Sequence, residues 1–322
     1  MNTINIEKNL TDVYLEINTQ CNIRCPYCYN NKNLIFKKEL SKKNLEYVVN
    51  FLKKSNCKRI IISGGEPLLH NNFKNIIDTL YINKINNLLD VEIQLISNLH
   101  LLDDDLYEFL KKRNVLIGCS LDTYDESEKN LKRLLSKDIA DKKFFSEIYV
   151  VVCIYGQKIY QIEKLFENLF SLNVKYVNVS FVSSMIKDEK YLKKIFLLLI
   201  KYNNKFMKIN SEILTSVINN TLFKAKKNCN ANNLIKIDTE LNLYPCYLSG
   251  KDMSYGKIVN GKTIFNIESY KKNNNLIYNS NHILCNKCKY KYNCKGCCYF
   301  LQDNPNICIM KTGYGMVSEK NE

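Results

Sequence analysis

The sequence predicts an α/β protein that begins with a partial (β/α)6 TIM-like barrel and ends with a small cysteine-rich domain. Three observations predict this architecture. β-rich runs alternate with helical patterns through residues 13–182, three cysteines closely follow the first run, and a second group of cysteines lies between residues 229 and 308. The alternation indicates successive βα units. Clustered cysteines without a secretory signal indicate metal ligation.

Six β-rich runs supply the predicted strands. Most of them are continuously apolar rather than alternating, which is typical of parallel strands buried on both faces. Helical patterns lie between the strands, including residues 41–55, where Ser41 is a candidate N-cap, and residues 103–113, which open with acidic residues. Six strands are too few for the closed eight-stranded barrel, so the sheet is predicted to be open at its side. The runs are 13–19, 59–64, 91–97, 115–122, 147–154 and 175–182.

The pattern changes twice along the chain and predicts three parts. Residues 1–187 are the barrel, residues 188–224 are a helical linker, and residues 225–322 are the cysteine-rich domain. The linker contains two helical patterns, at 189–209 and 211–223. Beyond the linker, short turns and cysteines replace long apolar runs, so metal is expected to organise this part more than a hydrophobic core does.

The composition restricts the classes of protein that the chain can belong to. Its 322 residues are 46% hydrophobic and 25% charged, the balance of a soluble globular protein. No apolar run approaches the roughly 20 residues of a membrane helix, and no signal segment opens the chain, so a cytoplasmic location without a membrane partner is expected. The formal net charge is +15, but the lysines are spread along the chain, so nucleic acid is not an expected partner.

Cys21, Cys25 and Cys28 form a C-x3-C-x2-C pattern after the first predicted strand, where the active-site loops of barrels lie. Three thiolates leave a four-coordinate metal site one ligand short. Two interpretations are open: a zinc site completed by a distant ligand, or a [4Fe–4S] cluster with one iron open to a substrate. Residues 64–67 (Gly-Gly-Glu-Pro) end the second strand, and glycines there allow the backbone to approach a ligand closely. A zinc site does not need that approach.

These two motifs resemble those of the radical S-adenosylmethionine (SAM) enzymes, including the aromatic Tyr27 before the last cysteine. The resemblance implies that the three cysteines hold three irons of a [4Fe–4S] cluster, while the amino and carboxylate groups of S-adenosyl-L-methionine chelate the fourth. It also implies that Tyr27 contacts the adenine and that the Gly-Gly-Glu-Pro segment receives the methionine ammonium. That segment consists of Gly64, Gly65, Glu66 and Pro67.

Two further segments resemble SAM-binding elements of the family. The Ile-Ser-Asn segment places Asn98 where the family often has an asparagine followed by glycine, and here Leu99 replaces the glycine. In the Ser-Leu-Asp segment, the resemblance implies that Ser120 contacts the ribose or the methionine carboxylate, while Asp122 is either a SAM contact or a helix N-cap. Arg133 is interpreted as solvated helix surface rather than as a ligand of the methionine carboxylate.

The resemblance also implies the chemistry. A low-potential electron, from a flavodoxin or a ferredoxin-like donor, cleaves SAM and gives a 5′-deoxyadenosyl radical that removes hydrogen from an unactivated C–H bond. The protein excludes water and aims one substrate hydrogen at the radical. Catalytic residues beyond the cluster and SAM are not identified by the sequence.

The later cysteines are similar in order to the SPASM extension of radical SAM enzymes, which carries two auxiliary [4Fe–4S] clusters, so three clusters are expected. The family usually has a glycine five residues before the second of these cysteines, whereas this chain has Leu241, and the local turn is expected to differ. Cys297 is an alternative ligand to Cys298, and auxiliary cluster I has either an open iron or a non-cysteine ligand. The resemblance assigns Cys229, Cys246 and Cys298 to auxiliary cluster I, and Cys285, Cys288, Cys294 and Cys308 to auxiliary cluster II.

Enzymes with this two-part pattern mostly modify peptides or proteins. The expected function is therefore oxidation of a ribosomally made peptide (RiPP maturation), giving a product such as a thioether or a carbon–carbon crosslink. The alternatives are a small-molecule or tRNA substrate, and a sulfatase-maturase-like protein oxidase, which is disfavoured because Tyr247 follows Cys246 where that group has an aspartate. An electron carrier or zinc scaffold is disfavoured by the Gly-Gly-Glu-Pro segment.

The short stretch before the first strand leaves no room for a leader-binding domain, so a leader is expected either to pair with an exposed strand edge or to be delivered by a separate leader-binding protein.

The remaining cysteines, Cys57, Cys119 and Cys153, are expected in the core, although Cys153 is also a candidate hydrogen donor to a substrate radical. The three histidines have no ligand spacing and are assigned no role; they are His70, His100 and His282.

Overall fold

The computed structural model divides into two compact units. The described residues are 10–28, 37–121, 149–172, 176–181, 188–207, 212–215, 233–247 and 249–270, with the single positions 132, 174, 185, 186 and 272. The first unit comprises Met1–Ser97, Leu101–Ile117 and Cys229–Ile277, and the second comprises Asn98–His100, Gly118–Asn228 and Tyr278–Glu322.

Strands and helices alternate along the described chain. The strands are β1 (Asp12–Asn18), β2 (Arg59–Gly64), β3 (Glu92–Ser97), β4 (Leu116–Leu121), β5 (Tyr149–Ile154), β6 (Tyr176–Phe181), β7 (Glu212–Thr215), β8 (Leu234–Ile237), β9 (Asn242–Tyr244), β10 (Gly256–Val259) and β11 (Lys262–Phe265). The helices are α1 (Lys42–Lys54), α2 (Phe73–Ile85), α3 (Asp104–Lys111), α4 (Ile159–Ser171) and α5 (Glu189–Met207).

The six predicted strands are all present, each within two residues of the predicted bounds. They pair in parallel within each unit, and helices connect several of them. This confirms the predicted α/β class with a parallel sheet. In neither unit do the described strands close on themselves, as expected for a sheet that is open at its side.

The first unit is built on β1, which lies between β2 and β8 and is parallel to both. Strand β3 pairs with the far side of β2, and β9, β10 and β11 continue antiparallel from β8. The side chains of Val13, Leu15 and Ile17 share one face of β1 and are fully buried, and Glu16 on the opposite face is also buried, as expected for a strand covered on both sides. Strand β8 comes from the predicted cysteine-rich domain, yet its backbone hydrogen-bonds to β1 of the barrel. The predicted domain boundaries stay a prediction.

The second unit contains four parallel strands in the order β4, β5, β6 and β7. Helices α4 and α5 pack together through Phe166 and Tyr202, whose rings stack with centroids 5.3 Å apart. The helical pattern at 189–209 is confirmed by α5. The helix predicted over 211–223 is wrong where the structure describes it, because Glu212–Thr215 is a strand paired with β6. Ladder hydrogen bonds to an existing strand outweigh a weak local helical period.

The predicted helix starts are also confirmed. Ser41 Oγ accepts a hydrogen bond from Asn44 N at 3.1 Å, and Asp103 Oδ1 accepts one from Leu106 N at 2.8 Å. Each side chain satisfies an amide of the first turn that has no partner within its helix. Among the described helices, none has both the length and the apolar character needed to span a membrane.

Candidate functional site

The loop of Cys21, Cys25 and Cys28 leaves the carboxyl end of β1. All three cysteines are half-buried, and none of them forms a disulfide with another described residue. The main chain turns between the last two cysteines, where Cys28 N donates to Cys25 O at 3.1 Å. Arg24 Nη1 donates to the carbonyls of Cys21 at 2.7 Å and Ile23 at 3.0 Å, which closes the first half of the loop.

Thiols are donors of the type that suits soft metal ions and iron–sulfur clusters. Burial raises the pKa of the Cys21 thiol, and the nearby Glu66 and Cys28 raise it further. No group of His, Cys, Asp or Glu side chains in the described part of the chain is arranged to hold a single metal ion. The three thiols lie on one loop and remain half-exposed. This arrangement fits the prediction from the sequence that three cysteines ligate an iron–sulfur cluster.

Gly64 and Gly65 bring the end of β2 against the chain that enters the cysteine loop. Gly65 N donates to Asn18 O at 3.0 Å, and Glu66 N donates to Gln20 O at 2.6 Å. A Cβ atom on Gly64 would collide with Asn18 O, and one on Gly65 would collide with Gln20 O. Gly64 also has φ of +147°, which favours glycine. The glycines are therefore required by the neighbouring backbone, a reason that the sequence did not reveal.

Glu66 takes part in this contact through its amide and is buried, at 2% exposure. Its Oε1 accepts hydrogen bonds from Ser97 Oγ at 2.8 Å and from Leu68 N at 3.2 Å. The second bond caps the short 3-10 helix Pro67–Leu69. Asn18 Nδ2 donates to the main-chain oxygen of Glu66 at 2.8 Å. These contacts hold the carboxylate in one orientation.

Sequence reasoning missed Asn18, Ser97 and His70 as supports of this region. His70 Nδ1 accepts from Asn72 N at 2.9 Å, so its Nε2 carries the proton and donates to Leu40 O at 3.1 Å. Leu40 is where the chain returns from the cysteine loop. The available signal for Asn18 and Ser97 was that each ends an apolar strand, whereas His70 follows the 3-10 helix Pro67–Leu69.

Two predicted SAM contacts lie in the second unit. Asn98 is buried, and its Oδ1 accepts from His100 N at 3.0 Å. Between them Leu99 has φ of +64°, the left-handed region that favours the family's glycine. Ser120 is half-buried on β4 and faces Val151 of β5 in register. Asp122 and Arg133 lie outside the described residues.

A small polar cavity of about 30 Å³ lies beside β1 in the first unit. Carboxylates and ammonium groups line it in equal number. Burial raises the pKa of Glu16 to about 7, and Lys236 only partly opposes this effect. Tyr244 Oη donates to Asp238 Oδ2 at 2.8 Å. The charged lining residues are Glu16, Asp238, Glu240, Lys38, Lys236 and Lys251.

Cys246 is half-buried in a turn after β9. Ser249 N donates to Cys246 O at 3.1 Å, and the Tyr247 ring stacks on Tyr14 of β1 with centroids 5.0 Å apart. Upstream, Leu241 has φ of +66°. Leucine thus adopts here the left-handed conformation that glycine favours, and the expectation that the turn differs from that of the family stays a prediction.

The structure brings together the first three cysteines and the Gly-Gly-Glu-Pro segment, and it describes Cys246 alone of the predicted auxiliary ligands. Among the isolated cysteines, Cys57 and Cys119 are buried as predicted, whereas Cys153 is half-exposed. Cys153 alternates with buried residues along β5, so the prediction that it is a core residue is wrong. Outside the described residues lie Cys229, Cys285, Cys288, Cys294, Cys297, Cys298, Cys308 and His282.

Comparison with known proteins identifies the region around these residues. Residues 15–152 match the model of the radical SAM superfamily. The chain is 26% identical over 147 residues to the radical SAM cyclopropyl synthase TigE of Paramaledivibacter caminithermalis, covering 40% of this chain and 30% of that protein. It is 28% identical over 100 residues to a probable GTP 3′,8-cyclase of Methanothermobacter marburgensis, covering 31% of each. The match thus spans about a third of the length of these curated relatives.

Solved structures extend the likeness in fold. The chain is similar to native anSMEcpe with bound AdoMet and Cp18Cys peptide, with a TM-score of 0.74, 17% identity and 97% of each chain covered. It is also similar to Streptococcus suis SuiB bound to precursor peptide SuiA, with a TM-score of 0.56, 14% identity, and 74% of this chain and 60% of that chain covered. At these identities the likeness concerns the fold alone.

Proposed function

We propose that the chain is a radical SAM oxidoreductase that modifies a peptide or protein substrate, on the premise that residues 15–152 match the model of the radical SAM superfamily. The observation that carries the proposal is one arrangement in the first unit. Three half-exposed cysteines follow β1, and residues 64–67, at the end of the neighbouring parallel strand, hydrogen-bond to the start of that loop.

The family implies a [4Fe–4S] cluster and SAM, and the residues present fit both. When bound, they supply a 5′-deoxyadenosyl radical that removes hydrogen from an unactivated C–H bond. Cys21, Cys25 and Cys28 are the proposed iron ligands. The proposed SAM-binding residues are Tyr27, Gly64, Gly65, Glu66, Pro67, Asn98, Ser120 and Asp122.

The chain's own residues prepare this site before anything binds. Ser97 and the amide of Leu68 hold one carboxylate oxygen of Glu66 in place, so the group does not have to be ordered when an ammonium arrives. Arg24 holds the first half of the cysteine loop in a closed form. Such preorganisation reduces the entropy lost on binding.

A peptide substrate is supported by the likeness in fold to two proteins that were solved with peptides bound. The product proposed is an oxidised peptide, such as one with a thioether or carbon–carbon crosslink. A low-potential flavodoxin or ferredoxin-like donor and a separate leader-binding protein are the proposed partners. Tyr247, which stacks on Tyr14, takes the place of the aspartate of sulfatase maturases.

Residues 225–322 are proposed as a SPASM domain with two auxiliary [4Fe–4S] clusters. Residues 1–187 would then form the barrel, and residues 188–224 the linker. Cys229, Cys246 and Cys298 are the ligands proposed for the first auxiliary cluster, and Cys285, Cys288, Cys294 and Cys308 for the second.

The test is the content of iron and sulfide per chain after anaerobic reconstitution, with 5′-deoxyadenosine measured after SAM and dithionite are added. We expect about 12 irons and product, four for each cluster. Formation of product with about four irons per chain would contradict the proposed auxiliary clusters but not the proposed radical SAM cluster. Zinc without product would contradict the whole proposal.

Two variants make the test specific. Cys25→Ala is expected to lose about four irons and to form no 5′-deoxyadenosine, because it removes one of three ligands. Cys153→Ala is the matched control, because Cys153 is a half-exposed cysteine outside the proposed ligand sets. This variant should retain both the iron content and the formation of 5′-deoxyadenosine. The peptide class is tested by co-expression with small peptides encoded beside the gene, where loss of two hydrogens from a peptide is the expected mass change. Turnover of a small molecule or tRNA instead would contradict it.

A further inference from the structure

The turn that carries Cys246 is held against the central strand of the first unit. Its own hydrogen bond, from Ser249 N to Cys246 O at 3.1 Å, closes the turn. Tyr247 anchors one side of the turn by stacking on Tyr14 of β1. The position of Cys246 thus depends on contacts to a strand more than 200 residues earlier in the chain.

A buried lysine makes the second attachment. Lys236 of β8 is 8% exposed, and it stands between two tyrosines in a cross-strand row. Its register partner on β1 is Tyr14, and its partner on β9 is Tyr244. The ammonium lies over the ring of Tyr244, with Nζ 4.7 Å from the ring centroid. This ring provides a favourable surface for the charge.

The ammonium reaches both the turn and β1. Nζ donates to the main-chain oxygen of Ser249 at 3.3 Å, and Oε2 of Glu16 lies 3.9 Å away. A buried ammonium is costly unless acceptors surround it. Lys236 therefore has few alternative positions, and the carbonyl of Ser249 is held by a charged donor.

Ser249 makes this contact through its main chain and not through its side chain. Its Oγ is buried and has no hydrogen-bond partner among the described residues, whereas its carbonyl accepts from Lys236 and its amide donates to Cys246 O. The bond network thus runs from Lys236 through the backbone of Ser249 to Cys246.

We propose that Lys236 is a positioning residue for Cys246, and that it fastens the turn that carries Cys246 and Ser249 to β1 so that the thiol is presented in one place. The inference rests on the proposed function only for the role of Cys246 as an iron ligand. The attachment itself is a property of the metal-free protein and can be tested there.

The experiment measures the rate at which iodoacetamide alkylates each cysteine in the reduced, metal-free full chain, read by peptide mass spectrometry. In Lys236→Met we expect Cys246 to react about tenfold faster, the factor that corresponds to about 1.4 kcal/mol for opening of the turn. Cys57 and Cys119, which are buried, report on global unfolding and should keep their wild-type rates.

Matched variants separate attachment from general stability. Lys236→Arg keeps a charged donor and should return the Cys246 rate to near that of the wild type. Lys251→Met removes a lysine from the same cavity, and Ser249→Ala removes only the unpartnered hydroxyl, so neither should change the rate. If Lys236→Met does not fold, Lys236→Gln is the second test variant, because the glutamine side chain is too short to bring its amide to Ser249 O.

Two outcomes would overturn the inference. One is an unchanged Cys246 rate in the folded Met or Gln variant. The other is an equal rise at Cys246, Cys57 and Cys119, which would make Lys236 a general stabilising residue. If the Cys246 rate rises selectively but wild-type protein forms no 5′-deoxyadenosine, the attachment stands and the proposed function fails.

Discussion

At the residue scale, two leucines occupy positions where the resemblance to radical SAM enzymes leads one to expect glycine. Leu99 and Leu241 have φ of +64° and +66°, and both side chains are buried. The left-handed conformation costs an L-residue roughly 1–2 kcal/mol. Burying a leucine side chain gains about 1.5–3 kcal/mol, so burial offsets the strain.

The turn at Leu241 is held in this conformation by one aspartate. Asp238 Oδ1 accepts from Glu240 N and Asn242 N, both at 2.9 Å, and Leu241 N donates to Asp238 O at 3.0 Å. These bonds satisfy the main chain around the strained residue, and they explain how the turn persists without glycine.

The strain at Leu241 predicts that the glycine variant at this position is more stable than the alanine variant, which reverses the usual order. Leu241→Gly should be about 1 kcal/mol more stable than Leu241→Ala, because both lose the buried side chain but only glycine relieves the strain. At Leu243, buried on β9 without positive φ, the ordinary order should hold, with alanine the more stable. Urea unfolding of the metal-free variants measures both differences. Equal or lower stability of Leu241→Gly would contradict the strain argument.

At the element scale, the end of β2 and the start of the cysteine loop form one unit of backbone. Gly65 and Glu66 donate to Asn18 and Gln20, and Asn18 returns a side-chain bond to Glu66. The loop that carries the predicted cluster ligands is therefore positioned by a strand end some 45 residues later in the chain. Substitution of either glycine should disturb the loop even without SAM.

Gly65→Ala tests this contact in protein free of metal and SAM. The new Cβ would meet the main-chain oxygen of Gln20, so we expect a loss of about 1–3 kcal/mol in unfolding free energy, the usual range for overpacking. Gly250→Ala is the control, because there the Cβ meets chiefly the movable carboxylate of Asp252. Urea unfolding gives both values. Equal losses in the two variants would show that the Gln20 contact does not constrain the loop.

At the scale of the whole molecule, buried charge makes the folding free energy depend on pH. Glu16 is 8% exposed, and burial raises its pKa from 4.5 to about 7. The folded state then binds a proton that the unfolded state has released between these two values. The contribution of protonated Glu16 to the stability of the folded state is complete below pH 4.5, and it is lost as the pH rises towards 7.

Glu16→Gln should remove this dependence. The stability of the wild type relative to the variant is expected to fall by about 3 kcal/mol between pH 4.5 and 7, at about 1.36 kcal/mol for each unit of pKa. Urea unfolding at several pH values measures it. The pKa of Glu240 is lowered by its ion pair with Lys38, so Glu240→Gln should show a change of opposite sign, confined to lower pH. A difference in unfolding free energy between the wild type and Glu16→Gln that does not change with pH would contradict the effect of burial on the pKa of Glu16.

The sequence by itself determined the six barrel strands, the starts of α1 and α3, and the cysteine loop with its Gly-Gly-Glu-Pro neighbour. Each of these depends on residues close together in the chain, where hydrophobic periodicity, capping residues and ligand spacing act directly. Only the tertiary structure decided that β8 pairs with β1, that Glu212–Thr215 is a strand, that Gly64 and Gly65 meet the backbone of residues 18–20, and that Lys236 reaches Glu16 and the Cys246 turn. These contacts join distant segments, and no local pattern encodes which distant backbone or charge will be the partner.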